Sequence, residues 1–285
     1  MAEIFDNRVC DLGEGPIWHP ERGSLIWFDI NDGRMLERQG ETTRAWLFSE
    51  PVSAAGLLDA KRMLVASASS LFEVDLDSGE ATTRMDLEHD SPLTRSNDGR
   101  ADPMGGFWIG TMGRQAQPKA GAIYRLFGGE LRKLFPEITI PNSICIAPDG
   151  SRAYFTDTPS RVIWSQPLDE QGWPVGEREV FVDLGDAPGN PDGAVCDADG
   201  YVWSARWGGS LVVRHAPDGR VDDEFMVPAS QVTCPVFGGA DMGTLYVTTA
   251  REGLSDEQLS TEPAAGCVFE IATGVPGRVE PYVKL

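Results

Sequence analysis

The chain has 285 residues and is 41% hydrophobic, enough for a substantial core and too much for a disordered segment. Its 24 basic and 44 acidic residues leave a formal net charge of −20, which argues against nucleic acid and anionic membranes as partners. No apolar run reaches the roughly 18 residues of a membrane helix, and the start "MAEIFDNRVCDLGEG" carries neither the basic flank nor the apolar stretch of a signal peptide.

Five cysteines, Cys10, Cys145, Cys196, Cys234 and Cys267, are odd in number and lack CxxC spacing. They read as reduced, mostly buried thiols of a cytoplasmic protein, so no structural disulfide is expected. In chain order, "EIFDNRV" is a first strand-like segment. "LGEGPIWHP" then places Glu14 between Gly13 and Gly15, followed by Pro16, which disfavours a helix and suggests a turn into a strand. "SLIWFDI", "RMLERQ" and "RAWLFS" follow as further short strands. The same plan returns at Ala54 with "RMLVASA", "SLFEVDL" and "TTRMDL". It returns at Asn97 with "GFWIGTM", "AIYRLF" and "LRKLF", and at Asn142 with "RAYFTDT", "VIWSQPL" and "EVFVDL". Asp192 leads to "YVWSARW", "LVVRHAP" and "DEFMVP", and Cys234 to "TLYVTTA" and "CVFEIAT".

Positions 14, 54, 97, 142, 192 and 234 are thus equivalent, at spacings of 40, 43, 45, 50 and 42 residues. A period of this size, filled with short strands and Gly or Asp-Gly turns, describes a four-stranded unit. Six such units arranged radially predict an all-β, six-bladed β-propeller spanning 1–285 as a single domain. "EIFDNRV" fills the fourth-strand place of the last blade and closes the ring, with "EPYVKL" at the other end competing for that role.

In such a ring the first strand of each blade lines the central channel, so the equivalent residues converge on one mouth. They are Glu14, Ala54, Asn97, Asn142, Asp192 and Cys234. An oxygen-rich set without histidine suits a hard divalent cation. Ca²⁺, Mg²⁺ and Mn²⁺ fit best by ligand type, with Zn²⁺ or Fe²⁺ left open by the carboxylates. Asn or Asp beside Gly is by itself an ordinary turn former, as in the Asp-Gly pairs at Asp32, Asp149, Asp199 and Asp218. The shared place in the repeat is what singles out Asn97, Asn142 and Asp192. Arg95, in "TRSNDGR", reads equally as a solvated arginine or as a donor to ligand hydroxyls or a carbonyl. His19, His89 and His215 have no metal spacing, and GxSxG, HExxH and Walker A motifs are absent.

The ordered set "GEGPIW", "RSNDGRADPMGGFWIGTM", "GAIYRL", "IPNSICIAPDG", "YFTDT", "NPDGAVCDADG" and "CPVFGG…LYVTTAREG" resembles the SMP-30/gluconolactonase/luciferin-regenerating-enzyme family over nearly the whole chain. The resemblance implies a six-bladed propeller and metal-dependent hydrolysis of sugar lactones. Residue by residue, it implies Glu14, Asn142 and Asp192 as metal ligands, with Asp192 also the general base. It implies Arg95 and Asn97 as contacts to the substrate or the metal-bound water. Some family members carry acidic residues after "GTM" that bind sugar hydroxyls. Here "GTMGRQAQ" has Arg114 and Gln115 instead, which makes Gln115 the substrate-binding candidate of this segment and leaves the sugar preference open. The expected partner is a small sugar lactone, and the expected state is a monomer or weak homo-oligomer. The alternatives on the same scaffold are a paraoxonase-like lactonase or esterase and a non-catalytic calcium-binding propeller.

Overall fold

Short alternating segments punctuated by glycine cannot extend far, and the strands run from four to nine residues. The computed structural model, which describes residues 1–285, arranges 24 strands into six antiparallel four-stranded sheets. The first five blades occupy 13–47, 52–86, 94–138, 141–183 and 190–226. The sixth takes three strands from 232–272 and its outer strand from the N-terminus: Glu3–Asp6 pairs antiparallel with Val268–Ala272, Ile4 opposite Phe269. The ring is therefore closed by the N-terminal segment. The C-terminal segment takes a different course, and Val283 donates its N–H to the Leu57 carbonyl of the second blade.

The inner strands Gly13–His19, Val52–Leu57, Thr94–Ala101, Pro141–Ile146, Asn190–Cys196 and Val232–Gly238 are buried nearly throughout, whereas the outermost strands, such as Thr42–Leu47, are mostly exposed. Apolar side chains fill the space between neighbouring blades. Ile26, Phe28 and Met35 of the first blade pack with Val65 and Val74 of the second, and each such fully buried side chain stabilises the fold by roughly 1.5–3 kcal/mol.

One device recurs at the turn between the first and second strands. Asp102 accepts the N–H groups of Met104 and Gly106 on one oxygen and those of Trp108 Nε1 and Arg125 Nε on the other, the last at 2.7 Å. Asp197 does the same two blades on, with Asp199, Tyr201, Trp203 Nε1 and Arg214. A buried tryptophan N–H and a guanidinium, fully buried in Arg125 and partly buried in Arg214, thereby share one charged acceptor. One short α-helix, Asp256–Thr261, and a single 3₁₀ turn, Thr158–Ser160, break the all-β pattern. Ser255 and Gln258 form a reciprocal capping box at the start of the α-helix.

All five cysteines are buried and free. Cys145 and Cys196, on adjacent inner strands, have sulfurs 3.6 Å apart, a contact between thiols. Burial pushes the Cys10 thiol up to about 12, with Asp29 adding to it. Thiols held this way are inert. The melting temperature is expected to be the same with and without reductant, with all five thiols alkylated only after unfolding. A large fall in stability under reductant would sink the absence of a structural disulfide.

Candidate active site at the channel mouth

Every inner strand loses regular pairing near its first residues. The register shifts between Glu14 and Ile17, Ser96 and Gly99, Asn142 and Cys145, and Pro191 and Ala194. Such bulges bend a strand and re-aim side chains. In a regular strand consecutive side chains face opposite ways. The bulge in the third blade lifts that rule, and both Asn97 and Asp98 reach the fourth blade. Asn97 Nδ2 donates to Pro141 O and Asn142 Oδ1, and Asp98 accepts the Ile144 N–H at 2.7 Å.

The blades are tied together at this level by side chains bonding across the junctions. Ser53 Oγ donates to Asn97 O, Ser143 Oγ to Asp192 O and Thr233 Oγ1 to Gly13 O, at 2.5–2.6 Å. Where no such bond is made, glycine lets the backbones approach. A methyl on Gly15, whose φ is +53°, would stand 2.2 Å from the Ser53 carbonyl oxygen, and one on Gly193 would stand 2.4 Å from Cys234 Sγ. The loops leading into two ring strands are clamped from the second strand. Asp29 accepts the N–H groups of Asp11 and Leu12 just before Glu14, and Asp157 those of Thr139 and Ile140 just before Asn142.

Glu14, Arg95, Asn97, Gln115, Asn142 and Asp192 line one cavity of about 520 Å³ at the channel mouth. Gln115 stands at its exposed rim, while the other five are buried. Ala54 and Cys234, equivalent in the repeat, are fully buried and do not line the cavity. The ring therefore presents four of its six positions.

The Glu14 and Asp192 carboxyls meet across the channel. Burial, then the charge of Asp98, pushes Glu14 up to about 8. Burial, then Glu14 and Asp98, holds Asp192 well above the usual carboxylate range. Asp98 itself is pushed up to about 6 by burial, with Arg100 pulling the other way. Neither Glu14 nor Asp192 has a salt-bridge partner.

The amides are held in one orientation. Arg95 Nη1 donates to Asn97 Oδ1, Asn97 Nδ2 to Asn142 Oδ1, Asn142 Nδ2 to Thr158 Oγ1, and Thr158 Oγ1 to Pro191 O, each at 2.8–3.0 Å. Asn142 thus turns its nitrogen to Thr158 and its oxygen into the ring. No three His, Cys, Asp or Glu side chains are grouped so as to hold an ion alone. The Asn142 oxygen would have to complete a set with the two carboxylates. Two mutually repelling buried carboxyls beside an oriented amide oxygen fit a hard divalent cation, whose charge would offset the repulsion.

Several residues of the site carry no periodic signal. Asp98 hides beside Asn97 inside the bulge. Arg100, three residues along the same strand, forms a buried ion pair with Glu280 of the C-terminal segment. Thr158 follows Asp157, the last residue of a second strand, and has no counterpart in the repeat. Glu252 and Trp207 also line the cavity.

Six blades around a channel whose mouth gathers buried carboxylates and amides define a propeller with a small-molecule reaction site. Residues 12–251 match the SMP-30/Gluconolactonase/LRE-like region, and the chain belongs to that family. It is 40% identical to an L-arabinolactonase of Azospirillum brasilense, over 96% of this chain and 92% of that protein. It is 34% identical to a 6-deoxy-6-sulfogluconolactonase of Pseudomonas putida, over 95% and 94%. The crystal structure of a calcium-binding protein, regucalcin, from Agrobacterium tumefaciens superposes with a TM-score of 0.98 at 41% identity, covering 100% of this chain and 98% of that one. No helix is long and apolar enough to cross a membrane.

Proposed function

We propose that the chain hydrolyses aldonolactones of five or six carbons to aldonic acids, with one divalent cation held by Glu14, Asn142 and Asp192. That it is a hydrolase of lactone ester bonds follows from its family and relatives. The sugar class and the cation are the proposal. The observation that carries it is the meeting of Glu14 and Asp192 beside the oriented oxygen of Asn142 inside one cavity. The relatives act on sugar lactones by name, and the Agrobacterium protein is by name calcium-binding, which supports a hard ion. Ca²⁺, Mg²⁺, Mn²⁺ and Zn²⁺ are the ions to test.

When bound, the cation supplies Lewis-acid polarisation of the lactone carbonyl and acidifies water at the site. Asp192 takes the proton of the attacking water as its oxygen bonds to the carbonyl carbon. Arg95 uses only Nη1 within the protein, so its other N–H groups are available to the developing oxyanion. The bond from that carbon to the ring oxygen then breaks, and Asp192 returns the proton to the departing alkoxide. Asn97 keeps Arg95 and Asn142 in register, and Gln115 meets a substrate hydroxyl at the rim.

Titrimetric assay of the metal-stripped and reloaded protein over a panel of aldonolactones tests this. Turnover should vanish with chelator and return with one of the four ions. Asn142→Ala should act mainly through cation affinity and be partly rescued by excess ion. Undiminished turnover by protein shown to be metal-free would remove the cation from the reading.

A further inference from the structure

The cavity wall nearest the sixth blade carries a carboxylate outside the ring. Glu252 follows Thr244–Thr249, and its backbone is fixed at both ends: its N–H donates to Asp11 O, and its carbonyl accepts Gln231 Nε2, both at 2.9 Å. Asn31 Nδ2 donates to Oε1 at 3.1 Å, while Oε2 has no partner in the protein. An exposed glutamate held in this way keeps one oxygen directed by its neighbours and one free.

Trp207, half-buried against Leu12, Ile30 and Ala250, lines the same cavity. An aromatic face beside a carboxylate matches a sugar, which offers C–H groups to the ring and hydroxyls to the acid. Arg95 provides the positive counterpart. Burial lowers its pKa, and the nearby charge of Glu252 is the largest influence opposing that shift. The segment after "GTM" offers Arg114 and Gln115 and no acid.

We infer that Glu252 is a specificity-determining residue that reads the hydroxyls of a polyhydroxylated lactone, from the sixth-blade wall of the cavity. This rests on the lactonase reading above. A carboxylate accepting from a hydroxyl makes a charge-assisted hydrogen bond, and its loss weakens binding on the order of tenfold or more. An alkyl lactone of the same ring size has no hydroxyl to lose.

The test compares wild type, Glu252→Gln and Glu252→Ala on an aldono-1,4-lactone and on γ-butyrolactone, at matched metal occupancy and after confirming equal melting temperatures. KM for the aldonolactone should rise on the order of tenfold in the glutamine variant and further in the alanine variant, with kcat changed little. The change in kcat/KM for γ-butyrolactone should be at least several-fold smaller. Equal losses on both lactones, or no loss on either, would overturn the inference while leaving the lactonase reading in place. Absence of lactone hydrolysis by the wild type would remove both.

Discussion

Asp192→Asn is expected to lower kcat for lactone hydrolysis by about 10²–10⁴-fold, the usual weight of a positioned general base, with a much smaller change in KM. The asparagine side chain keeps an oxygen for the cation and nearly the same shape. The backbone around it is held independently, since the Asp192 carbonyl accepts from Ser143 Oγ. What asparagine cannot do is accept the water's proton at neutral pH. The measurement therefore needs the cation content of the variant beside its kinetics. Wild-type turnover in a fully loaded Asp192→Asn protein would remove this carboxylate as the base. A loss fully restored by added ion would reduce its role to holding the cation.

Asp102→Ala should be among the most destabilising single changes in the chain. Both partners of the Asp102–Arg125 pair are fully buried. Arg125 already has one buried nitrogen, Nη1, without a partner. Removing the acid leaves a buried guanidinium without its counter-ion, held only through Nη2 to the Gln171 carbonyl, and strips a tryptophan N–H and two backbone N–H groups of their acceptor. Breaking a buried pair in this way costs about 3–5 kcal/mol. In a protein of this size that corresponds to a fall in Tm of roughly 10 °C. Asp102→Asn, which keeps one acceptor oxygen, should fall between. Asp59 occupies the same turn in the second blade, but its pair with Arg62 is half-exposed, and Asp59→Ala should barely move the melting curve. Equal Tm values for the Asp102→Ala and Asp59→Ala variants would show that burial is not what gives the pair its weight.

The blade architecture was legible because each unit repeats its turn chemistry and alternation. The N-terminal strand could be placed only because the sixth unit lacked a fourth strand of its own. The ring residues were legible through the same repeat. It brought Glu14 to Asn142 and Asp192, although nothing local to Glu14 names a partner. Equivalence in sequence did not mean equivalence at the cavity, since Ala54 and Cys234 hold ring positions yet stay beneath it. The bulges explain part of this. They let one strand present Asn97 and Asp98 together, which no period-2 reading anticipates. Glu280 and Glu252 were illegible for another reason. Each lies outside the repeated strands and reaches its place through neighbours distant in sequence: Arg100 for one, Asn31 and Asp11 for the other.

Ring closure by Glu3–Asp6 has a consequence for the order of assembly. That strand is synthesised ahead of every other strand of the propeller, and its partner Val268–Ala272 after all of them. The strand ladders of the first five blades each lie within one continuous stretch, so each sheet can form as it emerges. The sixth cannot finish until its outer strand returns from the far end of the chain. Through most of translation that early strand has no ladder to join, and its unpaired edge is open to pairing with another chain. Joining the two ends is the contact of greatest sequence separation in the fold, and contacts of that kind slow folding. Crowded synthesis of many copies at once would therefore expose this protein to exchange of its first strand between neighbouring molecules before any blade interior is at risk.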